Sequence, residues 1–272
     1  MAEPGLVISH QFDARKPLLW RLAQETPVWS VRNPNGPSWL PAGHRRIFHW
    51  DLGPVLANFK RAFIDQGLDR YLAETRPELF SFDLGPSARR HTGILPLSPP
   101  LGRSAIRRHT EAALNFIRRY YPGPLAAENY NYYPTGFYNH ITEPGFITDY
   151  LREFDLGLVL DLAHGAVTAH NLGLDPDDYF ASLPLERAAE VHISRPWLPP
   201  AAGLWAVDAH EAPGDREWAW LAKLLKNHRL PSSVPVFVEY YRDLGKLELA
   251  QNYLAALLDS PVPADTNHSE EH

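Results

Sequence analysis

The sequence predicts a single α/β domain folded as a (β/α)8 barrel. Three observations point there: eight short apolar, β-rich runs recur, segments of helical period separate many of them, and 272 residues suit one such barrel. A doubly wound open sheet is the alternative, but no Gly-x-Gly-x-x-Gly follows the first strand to favour it.

The strands fall near Leu6–His10, Pro27–Asn33, Arg46–Gly53, Leu79–Gly85, Leu125–Asn131, Leu156–His164, Ala189–Arg195 and Pro235–Tyr241. Each is too short for most helices and is bounded by Gly, Pro or charged turns. Pro54–Tyr71 reads as a helix, with Val55, Leu56, Phe59, Phe63 and Leu68 on one side. Arg103–Tyr121 places Ile106, Ala113, Leu114 and Ile117 at helical spacings, and Asp215–Leu230 and Leu244–Leu258 read the same way. Asp175-Pro176-Asp177-Asp178 is a helix start, with Pro at the first position and an acidic first turn. Ile94–Pro100 is a proline-rich loop. Residues 1–260 form the barrel and 261–272 a disordered polar tail.

Composition then narrows the chemistry. There is no cysteine, which excludes disulfides, zinc-thiolate sites, iron–sulfur clusters and cysteine nucleophiles. Against that stand 13 histidines and 32 Asp plus Glu, so a transition-metal site is built from imidazole and carboxylate. The formal net charge of −6 argues against nucleic acid as a partner, and the short basic clusters at Arg89–His91, Arg107–His109 and Arg118-Arg119 read as solvated faces. No apolar run reaches the length of a membrane span, and the first residues lack the pattern of a signal peptide. The expectation is a cytoplasmic protein with no membrane partner.

The polar residues inside apolar strands gather at the C-terminal ends, where barrels of this kind carry their sites. They are His49, Asp83, Glu128, Asp161 with His164, His192 and Glu239, from six successive strands. One His or Glu in a strand is ordinarily a hydrogen-bonded core residue. Six strands bringing ionisable groups to one end is different, because crowded buried carboxylates repel and take up protons unless a cation compensates them. Two further segments add candidates. Asp208 and His210 point the same way from an extended stretch, and His170 lies in the loop after the sixth strand. These ten residues exceed the ligands of one ion. They suit two or three metals sharing carboxylates, or one ion with surrounding hydrogen-bond partners. His10, Arg32 and Asn33, ending the first two strands, are substrate-contact candidates.

The stretch Leu160–Pro176, followed by Leu183–Arg187 and Val191-His192-Ile193, closely resembles the multinuclear non-heme iron-dependent oxidative enzymes, TIM barrels that include the iron enzymes of methanobactin and 3-thiaglutamate biosynthesis. Glu128-Asn129, Asp208-Ala209-His210 and Val238-Glu239-Tyr240 are similar to that family's motifs in order and spacing. The resemblance runs from about His49 to Glu239. It implies two or three irons (Fe2+/Fe3+), O2 as co-substrate, and oxidation of a side chain, such as Cys or Asp, of a ribosomally made precursor peptide presented by a small partner protein. It also implies that His49, Glu128, Asp161, His170, His192, Asp208, His210 and Glu239 are ligands. Glu128 would bridge, while Asp161, His192 and Glu239 complete the best-held iron, which makes Glu128, Asp161 and Glu239 the catalytic set. Two positions depart from the pattern: Phe82-Asp83-Leu84 stands where the family has Asp-His-Leu, and Asp161-Leu162-Ala163-His164 where it has Asp-x-Asn-Asn. An aspartate in place of histidine still offers an oxygen ligand, and His164 can take over from the asparagine.

The alternatives are a divalent-metal sugar isomerase, epimerase or hydrolase of the xylose-isomerase-like superfamily, and a non-catalytic barrel used for binding. The first predicts Mn or Zn without O2 consumption, the second no metal at all.

Overall fold

In the computed structural model, which describes residues 2–8, 17–34, 44–90, 97–200 and 203–259, eight parallel strands close into a barrel. The chain runs β1 (Glu3–Ile8), α1 (Pro17–Glu25), β2 (Val28–Val31), β3 (Arg45–Trp50), α2 (Phe59–Asp65), α3 (Leu68–Thr75), β4 (Leu79–Asp83), α4 (Arg103–Ile117), β5 (Leu125–Glu128) and α5 (Pro144–Glu153). It continues with β6 (Gly157–Asp161), α6 (Leu162–Leu172), α7 (Pro176–Ser182), β7 (Ala188–Ile193), β8 (Arg195–Trp197), β9 (Val207–Glu211), α8 (Asp215–Lys226), β10 (Pro235–Val238) and α9 (Leu244–Asp259). Around the barrel β1 to β7 follow in order, and β10 closes the ring between β7 and β1. β8 and β9 form a separate antiparallel ribbon. The expected (β/α)8 barrel is therefore present. His10, His91, residues 94–96 of the proline-rich loop and the 261–272 tail lie outside the described residues.

Successive residues of a strand face opposite sides, and that period of two builds the interior in layers. Val7, Val28, Ile47, Leu79, Ala126, Val159 and Phe237 form an apolar plug inside the barrel. Gly5 belongs there for want of space: a Cβ on it would stand 2.2 Å from the Phe237 ring. Two residues beyond six of these seven the plug gives way to polar groups: Ser30, His49, Ser81, Glu128, Asp161 and Glu239, all buried. The opposite faces carry Trp29, Phe48, Phe80, Phe82, Leu158 and Leu160 into the core beneath the helices.

Three boundaries differ from expectation. The segment 54–71 is not one helix: Gly67, at φ 76°, turns the chain between α2 and α3. β6 stops at Asp161, whose side chain accepts a 2.7 Å hydrogen bond from the His164 amide and caps α6, so His164 lies on a helix and not on the sixth strand. His170 accordingly sits in the last turn of α6 and not in a loop. Among the described residues no helix is long and apolar enough to cross a membrane.

Candidate metal centre

At the C-terminal ends of the strands the structure gathers nine of the ten sequence candidates around a cavity of about 370 Å³. Three triads pack against one another, each with one potential ligand atom per residue and those atoms within 4.8 Å of each other: His49–Asp83–Glu128, Glu128–Asp161–His164 and Asp161–His192–Glu239; beneath them a fourth set, His49–Glu190–His192, meets the same spacing. Glu128 belongs to the first and second triads and Asp161 to the second and third. Strand register explains the placement, since Asp83 is level with Glu128 and Asp161 with His192.

Around Glu128 the contacts are short. Its Oε2 lies 3.1 Å from His49 Nε2, and its Oε1 lies 3.0 Å from His192 Nδ1. His192 Nδ1 is also 3.3 Å from Glu239 Oε1 and 4.0 Å from Asp161 Oδ2. The β8–β9 ribbon closes the opposite wall: Asp208 Oδ2 is 3.4 Å from His164 Nε2 and 2.7 Å from His210 Nδ1, and His210 Nε2 is 3.3 Å from Glu239 Oε2. His210 is held at φ 44°, a left-handed conformation that costs about 1–3 kcal/mol, and Asp208 fixes it there by accepting from its amide at 3.3 Å. Arg32 reaches the cavity from the end of β2 and pairs with Glu239 and with Asp51, 3.1 Å away. Tyr130 and Tyr241 complete the lining.

His170 stands apart. Its Nε2 donates to the Leu204 carbonyl at 3.3 Å, and it lines no part of the cavity. The helical turn that replaces the expected loop carries it away from the strand ends.

The sequence left Glu190 out of the candidates and gave Asn129 no role beyond its place in the Glu128-Asn129 motif. Glu190 is wholly buried below His192 and accepts from Ser30, Ser81 and His192. Its signal was present, because two residues before His192 on one strand means the same interior face. Asn129 clasps the backbone of Asp161, donating to its carbonyl (3.0 Å) and accepting from its amide (2.8 Å). Nothing in its type distinguished it from a turn residue.

The donor set fits a metal on its own chemistry. Asp161 Oδ2 and His49 Nε2 are buried without a hydrogen-bond partner, although such orphans cost about 1–3 kcal/mol each. Both face the triads. Oxygen and imidazole donors suit iron, manganese or zinc.

Without a metal, protons do the compensating. Burial and Arg32 press His49 down, yet Glu128 and Asp83 outweigh them and raise it to about 9. His210 rises to about 10 against burial through Asp208 and Glu239, and His164 and His192 rise despite burial beside their carboxylates. Glu128 is held low by His49 and His192 even though burial opposes it. Two carboxyls go the other way: burial raises Asp83 to about 7 and Asp161 to about 6. Imidazoles raised in this way are protonated at pH 7.5 and must lose that proton to ligate. Metal loading at pH 7.5 is therefore expected to release protons, and affinity to fall as pH drops. Calorimetry in buffers of different ionisation enthalpy checks this; a heat independent of buffer contradicts it.

Solved structures similar to this chain share its barrel at low identity. A 3-keto-D-glucoside 4-epimerase from E. coli aligns with a TM-score of 0.59 at 14% identity, over 94% of this chain and 99% of that one. A mannonate dehydratase from Streptococcus suis serotype2 aligns with a TM-score of 0.62 at 13% identity, over 95% and 94%. These show the barrel fold alone. Among sequences, a UPF0276 protein of Anaeromyxobacter sp. (strain Fw109-5) is 27% identical over 149 residues, 51% of each chain. A UPF0276 protein of Bordetella pertussis is 27% identical over 183 residues, 66% of this chain and 55% of that one. The chain spans about half the length of these curated relatives. The model of one family, described as RiPP precursor modification enzyme MbnB/TglH/ChrH, matches residues 57–257. That stretch holds every residue of the three triads except His49, and with it covering most of the chain the protein belongs to this family of precursor-modifying enzymes.

Proposed function

We propose that the chain is a multinuclear non-heme iron-dependent oxidase or oxygenase that uses O2 to modify a side chain, such as Cys or Asp, of a ribosomally synthesised precursor peptide. One observation carries this reading: three ligand triads share carboxylates in one cavity, Glu128 between the first pair and Asp161 between the second. Shared carboxylates are how neighbouring cations are held close enough to act together.

Bound iron supplies the electrons that activate O2 for hydrogen abstraction from the substrate. The chain's own residues do the rest. Asp161, His192 and Glu239 hold one position, Glu128 with Asp161 and His164 the next, and His49 with Asp83 a third, with Asp208 and His210 adding donors from the ribbon. Arg32 neutralises Glu239 and keeps it oriented. Tyr130, stacked on Tyr138 at 6.1 Å, and Tyr241 wall the cavity against water. The family supports a precursor peptide as substrate. A small partner protein presents the peptide, and the reaction takes place in the cytoplasm.

Protein purified without oxygen is expected to hold two or three irons per chain and to consume O2 when given its peptide. Less than one iron per chain, with manganese or zinc supporting an O2-independent reaction on a sugar, overturns the proposal in favour of an epimerase or isomerase on the same barrel.

A further inference from the structure

Glu190 is the buried carboxylate of the His49–Glu190–His192 set, below the three triads of the cavity, and its hydrogen bonds assign it a role. It lies on β7 in the barrel interior, wholly enclosed, one layer below the ligand cluster. Apolar residues fill the plug beside it, so a carboxylate here is costly unless its hydrogen bonds accomplish something. Ser30 Oγ donates to Oε1 at 3.1 Å, and His192 Nε2 contacts the same oxygen at 2.7 Å. Ser81 Oγ donates to Oε2 at 3.1 Å.

Once each imidazole has given up its second proton to bind a metal, these bonds leave it no freedom of tautomer. An ionised carboxylate only accepts, so His192 must carry its proton on Nε2. Its Nδ1 is then the lone-pair nitrogen, the one facing Glu128, Glu239 and Asp161. A hydroxyl has one proton, and Ser81 spends it on Glu190. Its oxygen can therefore only accept from His49 Nδ1, 2.9 Å away. His49 is left with a lone pair on Nε2, the atom near Asp83 and Glu128 that lacks a hydrogen bond.

We propose that Glu190 is the positioning residue that sets the tautomers of both His49 and His192, directly at His192 and through Ser81 at His49, so that opposite ring nitrogens are turned to the metal. The inference rests on the metal-centre reading and deepens it: one carboxylate below the site prepares ligands belonging to two different triads. Glutamine at position 190 has the same shape but offers one acceptor and one amide donor. Its NH2 then faces either Ser81, which turns its proton onto His49 Nδ1, or His192 Nε2, which must surrender its own. Either way one imidazole presents an N–H where a ligand is needed.

The test is a Co2+ titration of metal-free wild type, Glu190→Gln and Ser81→Ala, followed by visible absorption, with thermal unfolding as the control for folding. Glu190→Gln is expected to bind cobalt about 10–100-fold more weakly, with an altered absorption spectrum. Ser81→Ala is expected to weaken only the His49 position. A folded Glu190→Gln protein with wild-type cobalt affinity, number and spectrum overturns the inference alone. A wild type that takes up no cobalt overturns the metal centre and the inference together. If Glu190→Gln does not fold, nitrogen-15 spectra of zinc-loaded wild type decide: protons on His49 Nδ1 and His192 Nε2 support the inference, and the reverse at either ring overturns it.

Discussion

A Glu128→Gln chain is expected to lose at least one of its metal ions and nearly all activity while keeping its fold. Glu128 is buried to 2% exposure, and its two oxygens face different histidines, His49 and His192. It is also the carboxylate common to the first and second triads. Removing one partner of a buried charge pair costs about 3–5 kcal/mol, which corresponds to roughly 10²–10⁴-fold in metal affinity. The loss divides between two positions because the residue is shared. Metal analysis after equilibration with a chelator of known affinity reads it, beside peptide-dependent O2 uptake. Full metal content in the variant would show that Glu128 does not bridge. The comparison with Asp83→Asn is informative, since Asp83 belongs to one triad only and stands at the cavity wall. A smaller deficit is expected there.

Much of this site is legible in the sequence because the strand period is so simple. Ile47 and His49, Ala126 and Glu128, Val159 and Asp161, and Phe237 and Glu239 each pair a plug residue with a ligand-type residue two positions on, and a barrel strand can only turn both inward. The same rule reaches Glu190 from His192, two positions apart on β7 and so on one interior face. What the strand rule cannot reach is where a strand ends. Asp161 fits a continuing strand by its apolar neighbours, yet its carboxylate caps a helix, and one hydrogen bond to the His164 amide turns the next eleven residues into α6. That turn brings His164 into the cluster and takes His170 out of it. The ribbon is half legible: alternation puts Asp208 and His210 on one side, while the left-handed backbone at His210, fixed by Asp208 accepting from the amide two residues on, departs from the extended pattern that alternation assumes.

Asp161→Asn separates two roles that one side chain combines. Oδ1 caps α6, accepting from the His164 amide at 2.7 Å, and Oδ2 faces His192 and Glu239 with no hydrogen-bond partner. Asparagine keeps the cap, because its oxygen accepts equally well at a helix start, and replaces the ligand oxygen by an NH2 that cannot bind a metal. Metal affinity is expected to drop more than about 100-fold, beyond the loss of an outer hydrogen bond. Stability of the metal-free protein should move in the opposite direction. Burial raises the folded Asp161 carboxyl from 3.8 to about 6, so the fold holds its proton more tightly than the unfolded chain does, and stability declines as pH rises through that interval. The neutral amide is free of this penalty. Metal-free Asp161→Asn is therefore expected to melt above wild type at pH 7.5 and to converge with it near pH 4. Asp161→Ala loses ligand and cap together, and the missing cap costs about 1 kcal/mol, a melting temperature roughly 2–4 °C below that of the asparagine variant. Melting curves of the three metal-free proteins at pH 4 and pH 7.5 read both effects. If alanine and asparagine melt alike, Asp161 is no cap; if the asparagine variant keeps its metal, Oδ2 is no ligand.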